Sequence, residues 1–352
     1  MKKIAVIFGG ISSEYEVSLK SSVAIIEAMK EMDYEVVKIG ITQKGKWYLV
    51  QGTTADILAD TWFSKDKSEE LGIDLETGHF YLKRTSEIIA VDVLFPVLHG
   101  GYGENGAMQG LFEMLNIPYV GCGVASSAIS MNKIMLHQFA ESIGVSSTPS
   151  LLVTEQTATD RLQPFIEKHG FPLYVKPNEA GSSKGITRVE KQSEMSQAIA
   201  EALQYDHKIL VQKEVTGIEI GCAVMGNDEL FVGECDQINL VEGFFDYEEK
   251  YNLITAEIIL PAKISTEIKE DIQNQAKRLY QELGCKGLAR IDFFLTNQGE
   301  IFLNEINTMP GFTSHSRFPM MMRAIGISYQ DIIEHLIKLG EEAYNESIYH
   351  TN

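Results

Sequence analysis

Residues 288–317 read LARIDFFLTNQGEIFLNEINTMPGFTSHSR, and the interpretation of the whole chain starts from them. Two runs typical of β-strands, 289–295 and 300–304, flank a turn whose Asn and Gly tolerate the positive φ that a hairpin needs. Glu305 and Asn307 close the second run. Because they are two residues apart in an extended segment, we expect their side chains to face the same side.

Antiparallel pairing of the two runs would bring Asp292 beside Glu305 and Asn307, with Arg290 close by. Such a cluster of hard oxygen ligands suits Mg²⁺ holding a polyphosphate, since Mg²⁺ takes one or two carboxylates together with substrate oxygens. The same pattern also fits an acidic hairpin that carries ordinary surface charges. The rest of the chain has to decide between the two interpretations.

Composition narrows the class of protein. The 352 residues suffice for two or three domains, and a hydrophobic fraction of 44% supplies a sizeable core. The net charge of −19 argues against a nucleic-acid partner, which would require a basic surface. The four cysteines form no CxxC pair, so we expect buried thiols rather than a zinc site or disulfides. No apolar run suits a secretory signal or a bilayer span, and we expect a soluble cytoplasmic protein without a membrane partner.

The N-terminal segment has the pattern of a βαβ unit. The apolar run IAVIF at 4–8 is typical of a buried parallel strand, and a helix at about 17–32 and a strand at 35–41 follow. Two glycines after the first strand leave backbone amides near the helix N-terminus, where anions bind, although the GxGxxG spacing of dinucleotide sites is missing. Glu14 lies beyond the carboxyl end of the strand, where such sheets bind ligands. It could equally serve only the helix dipole.

A second strand–loop–helix unit contains the next candidate residue. The strand 91–98 ends at His99, which precedes a glycine-rich loop and is well placed to touch a ligand, although a lone histidine is most often structural. We expect 117–121 to be the last strand of the first domain. Residues 123–145, which include Lys133, are predicted to form one helix.

Residues 146–149 introduce a new composition, and we take them as the linker into a second domain. A strand ending at Lys176 and Pro177 leads into the loop 178–185, whose glycines and serines supply amides and hydroxyls that could cover a phosphate. The loop lacks the spacing of a P-loop, and an ordinary hairpin turn remains the alternative. Residues 239–254 are polar, aromatic and without periodicity, which is typical of a lid over a site.

Six motifs occur in this chain in the order and at the spacing of the D-alanine–D-alanine ligase family of the ATP-grasp superfamily, which the chain resembles over nearly its whole length. They are GGISSEYEVSL, LHGGYGENGAMQG, VKPNEAGSSKGI, FFDYEEKY, ARIDFF and NEINTMPGFTSHSRFP. The resemblance implies an α/β fold with an N-terminal Rossmann-like domain for the first substrate (1–122), a small central domain (123–214) and a C-terminal antiparallel-sheet domain (215–352). ATP would lie between the last two.

The implied reaction has two steps. ATP phosphorylates the carboxylate of a first D-alanine, and the amine of a second D-amino acid then attacks the acyl phosphate and releases phosphate. The resemblance further implies two Mg²⁺ ions, for which Mn²⁺ could substitute, ATP as co-substrate, a homodimer, and a role in peptidoglycan synthesis, cell shape or vancomycin resistance.

The resemblance also implies residue roles, position by position. Glu14 would bind the ammonium group of the first substrate, and His99 would contact its carboxylate. Ser182 and Tyr251 would hold Glu14 and close the lid over it. Contacts to ATP are implied for eight residues: Lys133, Lys176, Gly181, Ser183, Gln212, Lys213, Glu219 and Lys250.

For residues 288–317 the resemblance implies metal binding and the stabilisation of negative charge. The resemblance implies that Asp292, Glu305 and Asn307 are the Mg²⁺ ligands. Arg290 matches the residue that stabilises the transferring oxyanion.

Gly311 and Ser316 match second-substrate contacts, made through a backbone amide and a hydroxyl. Arg317 beside them stands where ordinary D-alanine–D-alanine ligases usually carry an apolar residue, and a guanidinium needs an oxygen acceptor. The vancomycin-resistance D-alanine–D-serine ligases resemble this chain at that position and also at Asp236 and Phe245. We therefore expect D-serine as the second substrate. The alternative is that Arg317 pairs with Asp236 and that the second substrate is D-alanine.

Two further hypotheses are weaker. Another ATP-grasp ligase that joins a different carboxylate and amine is disfavoured by the FFDYEEKY segment and the SHS patch at 314–316. A non-catalytic protein that binds ATP or a D-amino acid is disfavoured because Arg290, Asp292, Glu305 and Asn307 are all present.

Overall fold

Three β-sheets and their flanking helices make up the fold of the computed structural model, which describes residues 1–154, 158–179, 184–240 and 256–351. The first sheet has the strand order β6-β5-β4-β3-β2-β1-β7. Its strands are β1 (Lys2–Gly9), β2 (Tyr34–Ile41), β3 (Trp47–Val50), β4 (Ser68–Asp74), β5 (His79–Leu82), β6 (Ile88–Ile89) and β7 (Val93–Val97). The helices beside it are α1 (Tyr15–Met29), α2 (Thr54–Leu58) and α3 (Ala107–Leu115).

The predicted βαβ unit is confirmed. Strand β1 runs parallel to β2 on one side and to β7 on the other, and its residues 4–8 are fully buried. Parallel strands that are covered on both faces have such unbroken apolar runs. Gly9 ends β1 with φ +87°, where an L side chain would be strained, so glycine permits the turn into the loop that carries Glu14.

The predicted strand 117–121 is wrong in extent. Only one bridge forms, in which Leu94 N–H donates to Pro118 O at 2.8 Å and Val120 N–H donates to Leu94 O at 2.9 Å. The chain then turns away at Gly121, whose φ is +110°. The turn at Gly121 therefore ends this apolar segment before a full strand can form.

The single helix predicted for 123–145 is also wrong, because the segment forms α4 (Val124–Met131) and α5 (Lys133–Ser142). Asn132 between them is extended, and its side chain accepts a hydrogen bond from Met135 N–H at 3.1 Å. Asparagine is among the best N-cap residues, so it starts a new helix here rather than continuing the first.

The second sheet is antiparallel and has the order β10-β9-β11-β8. Its strands are β8 (Ser150–Val153), β9 (Leu173–Pro177), β10 (Thr187–Val189) and β11 (Ile209–Lys213), and the helices are α6 (Ala158–His169) and α7 (Met195–Ala202). Apolar side chains of both helices and of the sheet form one core cluster, which includes Leu162, Val175 and Ala198.

The third sheet is antiparallel, with the order β15-β14-β12-β16-β17 and with β13 paired to β12. Its strands are β12 (Gly217–Gly226), β13 (Leu230–Val232), β14 (Asp236–Leu240), β15 (Ala256–Ile259), β16 (Leu288–Thr296) and β17 (Ile301–Asn307). Helix α8 (Thr266–Glu282) precedes β16, and α9 (Arg317–Ala324) and α10 (Tyr329–Thr351) follow β17. The hairpin predicted at 289–304 is confirmed as β16 and β17.

One row of residues across the third sheet positions the site. Gly221 on β12 lies opposite Asp236 on β14 and opposite Asp292 on β16, and Asp292 lies opposite Glu305 on β17. Directly opposed residues of antiparallel strands point to the same face of the sheet. Four neighbouring strands therefore place three carboxylates and one glycine in a single row on the same face of the third sheet.

The helices link the sheets to one another. Met321 and Met322 of α9 share a core cluster with Ile4 and Phe8 of the first sheet, and four residues of α10 belong to the same cluster, namely Ile332, Ile333, Leu336 and Ile337. Leu136 and Ala140 of α5 pack instead with the third sheet. The division at residues 122 and 214 stays a prediction. The four cysteines are buried free thiols, as expected, and no helix among the described residues is long and apolar enough to cross a bilayer.

Candidate active site

The carboxylate of Asp292 is the centre of the site. Only 1% of this side chain is exposed, and Arg290 binds it through Nε to Oδ1 at 2.9 Å and through Nη2 to Oδ2 at 2.7 Å. Asn307 Nδ2 donates to Oδ2 at 3.0 Å. The hairpin thus brings together the residues that the sequence analysis placed in one cluster, with Glu305 directly opposite Asp292 in the register. Their role as Mg²⁺ ligands stays a prediction.

A second guanidinium approaches Asp292 from the helix side. Arg317 begins α9, and it is buried with 8% of its side chain exposed. Its Nε and Nη2 each donate to a different oxygen of Asp236 at 2.7 Å, which makes a bidentate pair. Nη2 also lies 3.4 Å from Asp292 Oδ1, and Nη1 donates to Glu219 Oε1 at 3.1 Å. One buried cation therefore joins three carboxylates.

Electrostatics explains why both guanidiniums remain charged in this buried setting. Burial opposes the charged form of Arg317, but Asp236 and then Asp292 outweigh it and raise the pKa of Arg317 well above its usual value. For Arg290, burial likewise opposes the charged form, and Asp292 outweighs it and raises the pKa. Buried charges of opposite sign are stable together only when they are paired and hydrogen-bonded, as they are here.

On the side predicted for the first substrate, Ser12 connects two loops. Its Oγ donates to His99 O at 2.6 Å and accepts from Glu14 N–H at 3.0 Å. Gly100 lies directly beneath the Glu14 carboxylate. A Cβ at Gly100 would come too close to Glu14 Oε2 and would lie 2.8 Å from Ser12 Oγ. The glycine loop predicted after His99 thus receives the side chain of Glu14.

His99 is buried, and both of its ring nitrogens have protein partners. Nδ1 lies 2.9 Å from Met309 O and Nε2 lies 3.1 Å from Ser21 Oγ. Since a carbonyl can only accept, Nδ1 carries the hydrogen and Nε2 accepts from Ser21. Burial is the main cause that lowers the pKa of His99, which keeps the ring neutral. The predicted contact between His99 and a substrate carboxylate stays a prediction.

Sequence reasoning missed Glu104, which lies in the loop after His99. Burial, followed by the charge of Glu14, raises the pKa of Glu104 to about 8, although the backbone N–H of Gly100 opposes the shift. Glu305 also raises this pKa and Arg290 lowers it, so charges of both the first-substrate side and the Asp292 cluster act on Glu104. The available signal was an acidic residue inside a glycine-rich loop at the end of a buried strand.

The predicted ATP side contains two buried lysines, Lys133 at the start of α5 and Lys176 on β9. The charges of both lysines act on His137, which sequence reasoning also missed. Its Nε2 lies 3.2 Å from Asn304 O and its Nδ1 lies 3.2 Å from Ser150 Oγ. Burial, then the charges of Lys176 and Lys133, lower the pKa of His137 to about 4. A histidine that stays neutral near two cations suits a site for anionic phosphates.

The other predicted nucleotide residues fall on two strands. Gln212 is buried on β11 and donates from Nε2 to Ser150 Oγ at 3.3 Å, whereas the neighbouring Lys213 is exposed. Glu219 lies on β12, where it pairs with Arg317. The structure therefore places Glu219 in the same cluster as Asp236 and Asp292.

The turn before α9 contains the two predicted second-substrate contacts. Ser316 Oγ accepts from Thr313 N–H at 3.0 Å and lies 2.9 Å from Thr313 Oγ1. A Cβ on Gly311 would lie 3.2 Å from Ser316 Oγ, so the two predicted residues are neighbours. Ser316 directly precedes Arg317, whereas Gly311 lies six residues before it. Six other predicted site residues lie outside the described residues, namely Gly181, Ser182, Ser183, Phe245, Lys250 and Tyr251.

The donor set at Asp292 suits a hard cation. Within residues 1–154, 158–179, 184–240 and 256–351, no group of three or more His, Cys, Asp or Glu side chains could hold a metal ion by itself. The predicted set offers two carboxylates and one amide oxygen. Mg²⁺ usually takes few protein ligands and completes its shell with phosphate oxygens and water, so this set fits an ion that binds together with ATP.

Solved structures define the class of the fold. The chain superimposes on the VanG D-Ala:D-Ser ligase from Enterococcus faecalis with a TM-score of 0.88 and 43% identity, covering 96% of this chain and 99% of that one. The combination of a Rossmann-like first sheet with two antiparallel sheets that carry lysines and carboxylates is therefore that of an ATP-grasp ligase.

Comparisons of sequence define the family. The model of the D-ala D-ala ligase N-terminus matches residues 3–122 and that of the C-terminus matches residues 139–338. The chain is 52% identical to the vancomycin C-type resistance protein VanC2 of Enterococcus casseliflavus, over 97% of this chain and 99% of that protein. It is 39% identical to a D-alanine–D-alanine ligase of Caldicellulosiruptor bescii, over 97% and 95%. The chain belongs to the D-alanine–D-alanine ligase family, whose members are ATP-dependent ligases.

Proposed function

We propose that this chain joins D-alanine to D-serine at the expense of ATP, producing a D-Ala-D-Ser dipeptide for the peptidoglycan of vancomycin-resistant cells. The observation that carries the proposal is Arg317, a buried guanidinium clamped by Asp236 at the start of α9, one residue after Ser316. The likeness to the VanG D-Ala:D-Ser ligase supports it. We also propose a cytoplasmic homodimer with the three domains that the sequence predicts.

The first step requires that the carboxylate of D-alanine and the γ-phosphate meet without water. In the proposed arrangement Glu14 binds the ammonium group of the first D-alanine, and the loop after His99 supports Glu14 through Ser12. Lys133 and Lys176 bind phosphate oxygens of ATP, and their burial strengthens that attraction because the local dielectric is low. The predicted lid at 239–254 would exclude water, which would otherwise hydrolyse the acyl phosphate.

The reaction also requires that negative charge on the transferring phosphoryl group be stabilised. Asp292, Glu305 and Asn307 would hold the Mg²⁺ ions, which when bound neutralise charge on the transferring phosphoryl group. Arg290, fixed by its two hydrogen bonds to Asp292, then points a preorganised cation at the oxyanion. Because Asp292 already fixes Arg290, the guanidinium would need no reorganisation during the reaction.

The choice of the second substrate would depend on Arg317. Gly311 N–H and Ser316 would bind the carboxylate of the second amino acid, which places its side chain toward the start of α9. A site that hydrogen-bonds a hydroxyl rejects the analogue that lacks it, since a buried polar group is then left unpaired. A serine hydroxyl fits this requirement better than the methyl of alanine.

One observation favours D-alanine as the second substrate instead. Arg317 directs Nε and Nη2 at Asp236 and Nη1 at Glu219, so carboxylates of the protein already receive most of its donors. In this alternative Arg317 is structural, and the chain is an ordinary cell-wall ligase.

A competition assay separates the two. The enzyme would be given ATP, Mg²⁺, D-alanine and D-serine at equal concentrations, and the dipeptides would be quantified by mass spectrometry. We expect D-Ala-D-Ser in excess. A product consisting mainly of D-Ala-D-Ala would refute the D-serine proposal, and a lack of ADP with both amino acids present would refute the ligase activity itself.

A further inference from the structure

Gly221 lies directly beneath the guanidinium of Arg317. A Cβ at this position would lie 2.6 Å from Asp236 Oδ1, 2.8 Å from Met321 Cε and closer still to Arg317 Nη2. Gly221 is not among the described glycines with positive φ, so the backbone there would accept any residue. The site therefore depends on the space that Gly221 leaves because it has no side chain.

The register explains why this space matters. Gly221 is the middle member of the row Asp236–Gly221–Asp292, so a side chain on it would stand between the two carboxylates. The Arg317 guanidinium occupies that space, with Nη2 2.7 Å from Asp236 Oδ1 and 3.4 Å from Asp292 Oδ1. The cation lies over the glycine and reaches carboxylates of both neighbouring strands.

Gly221 also orients one of the carboxylates. Its backbone N–H donates to Asp236 Oδ1 at 3.1 Å, the same oxygen that accepts from Arg317 Nη2. Asp236 is 1% exposed, so these bonds are shielded from water. The glycine thus contributes both a donor for Asp236 and the space for Arg317.

We propose that Gly221 is a positioning residue for the choice of the second substrate, because it forms the cradle that holds Arg317 at the level of Asp236 and Asp292. This inference rests on the proposed function, in which Arg317 meets the hydroxyl of the second amino acid. A methyl group at residue 221 displaces the guanidinium by at least about 1 Å, since non-bonded heavy atoms pack at about 3.5–4.0 Å. The bidentate pair with Asp236 cannot survive that shift unchanged.

The test is Gly221→Ala, assayed for kcat/KM with D-serine and with D-alanine as the second substrate. A displacement of 1 Å in a positioned group costs about 100-fold in rate. We expect the D-serine to D-alanine ratio to fall by about 10- to 100-fold, with the KM value for the first D-alanine unchanged. An unchanged ratio overturns the inference.

Gly233→Ala is a matched control. A Cβ at Gly233 would lie 3.1 Å from Met321 Cβ and 3.2 Å from Ala223 Cβ, so it crowds the same helix without touching Arg317. We expect this control to leave the ratio within about twofold of wild type. A ratio shifted as much by the control as by Gly221→Ala would show that crowding of α9, and not the cradle, sets specificity.

A double-mutant cycle with Arg317→Leu distinguishes this inference from the proposed function. Once the guanidinium is gone, Gly221→Ala still crowds Asp236 and Met321 but no longer displaces Arg317, and we expect it to leave the ratio unchanged. Equal effects of Gly221→Ala in both backgrounds overturn the inference, whatever substrate the wild type prefers. A wild type that prefers D-alanine overturns the proposed function, while a non-zero coupling between the two sites still supports the cradle.

Discussion

The replacement Asp236→Asn removes the charge that holds Arg317 and keeps the size of the side chain. Asp236 accepts two hydrogen bonds from Arg317, each of 2.7 Å, and one from Gly221 N–H of 3.1 Å. Breaking a buried pair costs about 3–5 kcal/mol, because one charge is left uncompensated. Glu219 and Asp292 still face Arg317, so we expect the loss to lie near 3 kcal/mol, the lower end of that range.

Urea denaturation measures this loss as a fall in the free energy of unfolding at an unchanged m-value. The matched control is Glu334→Gln, which removes an exposed partner of Lys338 (2.6 Å apart, with 44% and 59% of the side chains exposed). Exposed pairs contribute little, so we expect the control to stay close to wild type. If Asp236→Asn unfolds at the same urea concentration as the control, the Arg317 cluster does not stabilise the fold and the reasoning is refuted.

Three other substitutions test the site. Arg317→Leu should lower kcat/KM for D-serine by an amount equivalent to about 1–3 kcal/mol and leave D-alanine less affected, and a constant ratio of the two would contradict a contact with the hydroxyl. Asp292→Asn should abolish ADP release by weakening metal binding and freeing Arg290, and a wild-type kcat measured across a Mg²⁺ titration would exclude both roles. Glu104→Gln tests the raised pKa of about 8. A carboxyl whose pKa is raised on folding stabilises the protein below its unfolded pKa and loses that contribution as pH rises to about 8, so wild type should lose unfolding free energy relative to Glu104→Gln between about pH 5 and 8. A difference that does not vary with pH would contradict the shift.

Local sequence patterns predicted the parts of the fold that local chemistry determines. The hairpin 288–307 was predictable because its turn residues and its two runs lie within 20 residues of one another. The turn alone would pair Asp292 with Asn304, and a β-bulge between Asp292 and Phe293 shifts the register by one residue and places Asp292 opposite Glu305. The first βαβ unit was equally predictable, since an unbroken apolar run followed by a glycine turn is typical of it. The break at Asn132 was not predictable, because an asparagine inside an apolar helical pattern can either continue the helix or cap a new one. The two cases differ in the backbone conformation of Asn132, which the sequence does not show.

Contacts between distant strands were beyond sequence reasoning. Asp236 and Asp292 flank Gly221 only because β12 pairs with two strands at once, and no periodicity within one segment predicts that register. His137 and Glu104 were missed for a related reason, because their perturbed pKa values arise from burial and from charges on other elements. The resemblance to a family supplied candidate residues, but it did not show that Glu219, Asp236 and Asp292 surround a single cation.

The packing of α10 on the first sheet has a consequence for how the protein is made. Strand β7 ends at Val97, whereas the helix that completes the same core cluster begins at Tyr329. Ribosomes add about 5–20 residues per second, so the apolar face around Ile4 and Phe8 waits roughly 10–50 s for its last partner. During that interval this face is a natural substrate for chaperones, and the earliest strands of the chain reach their final packing only after the latest helix has emerged.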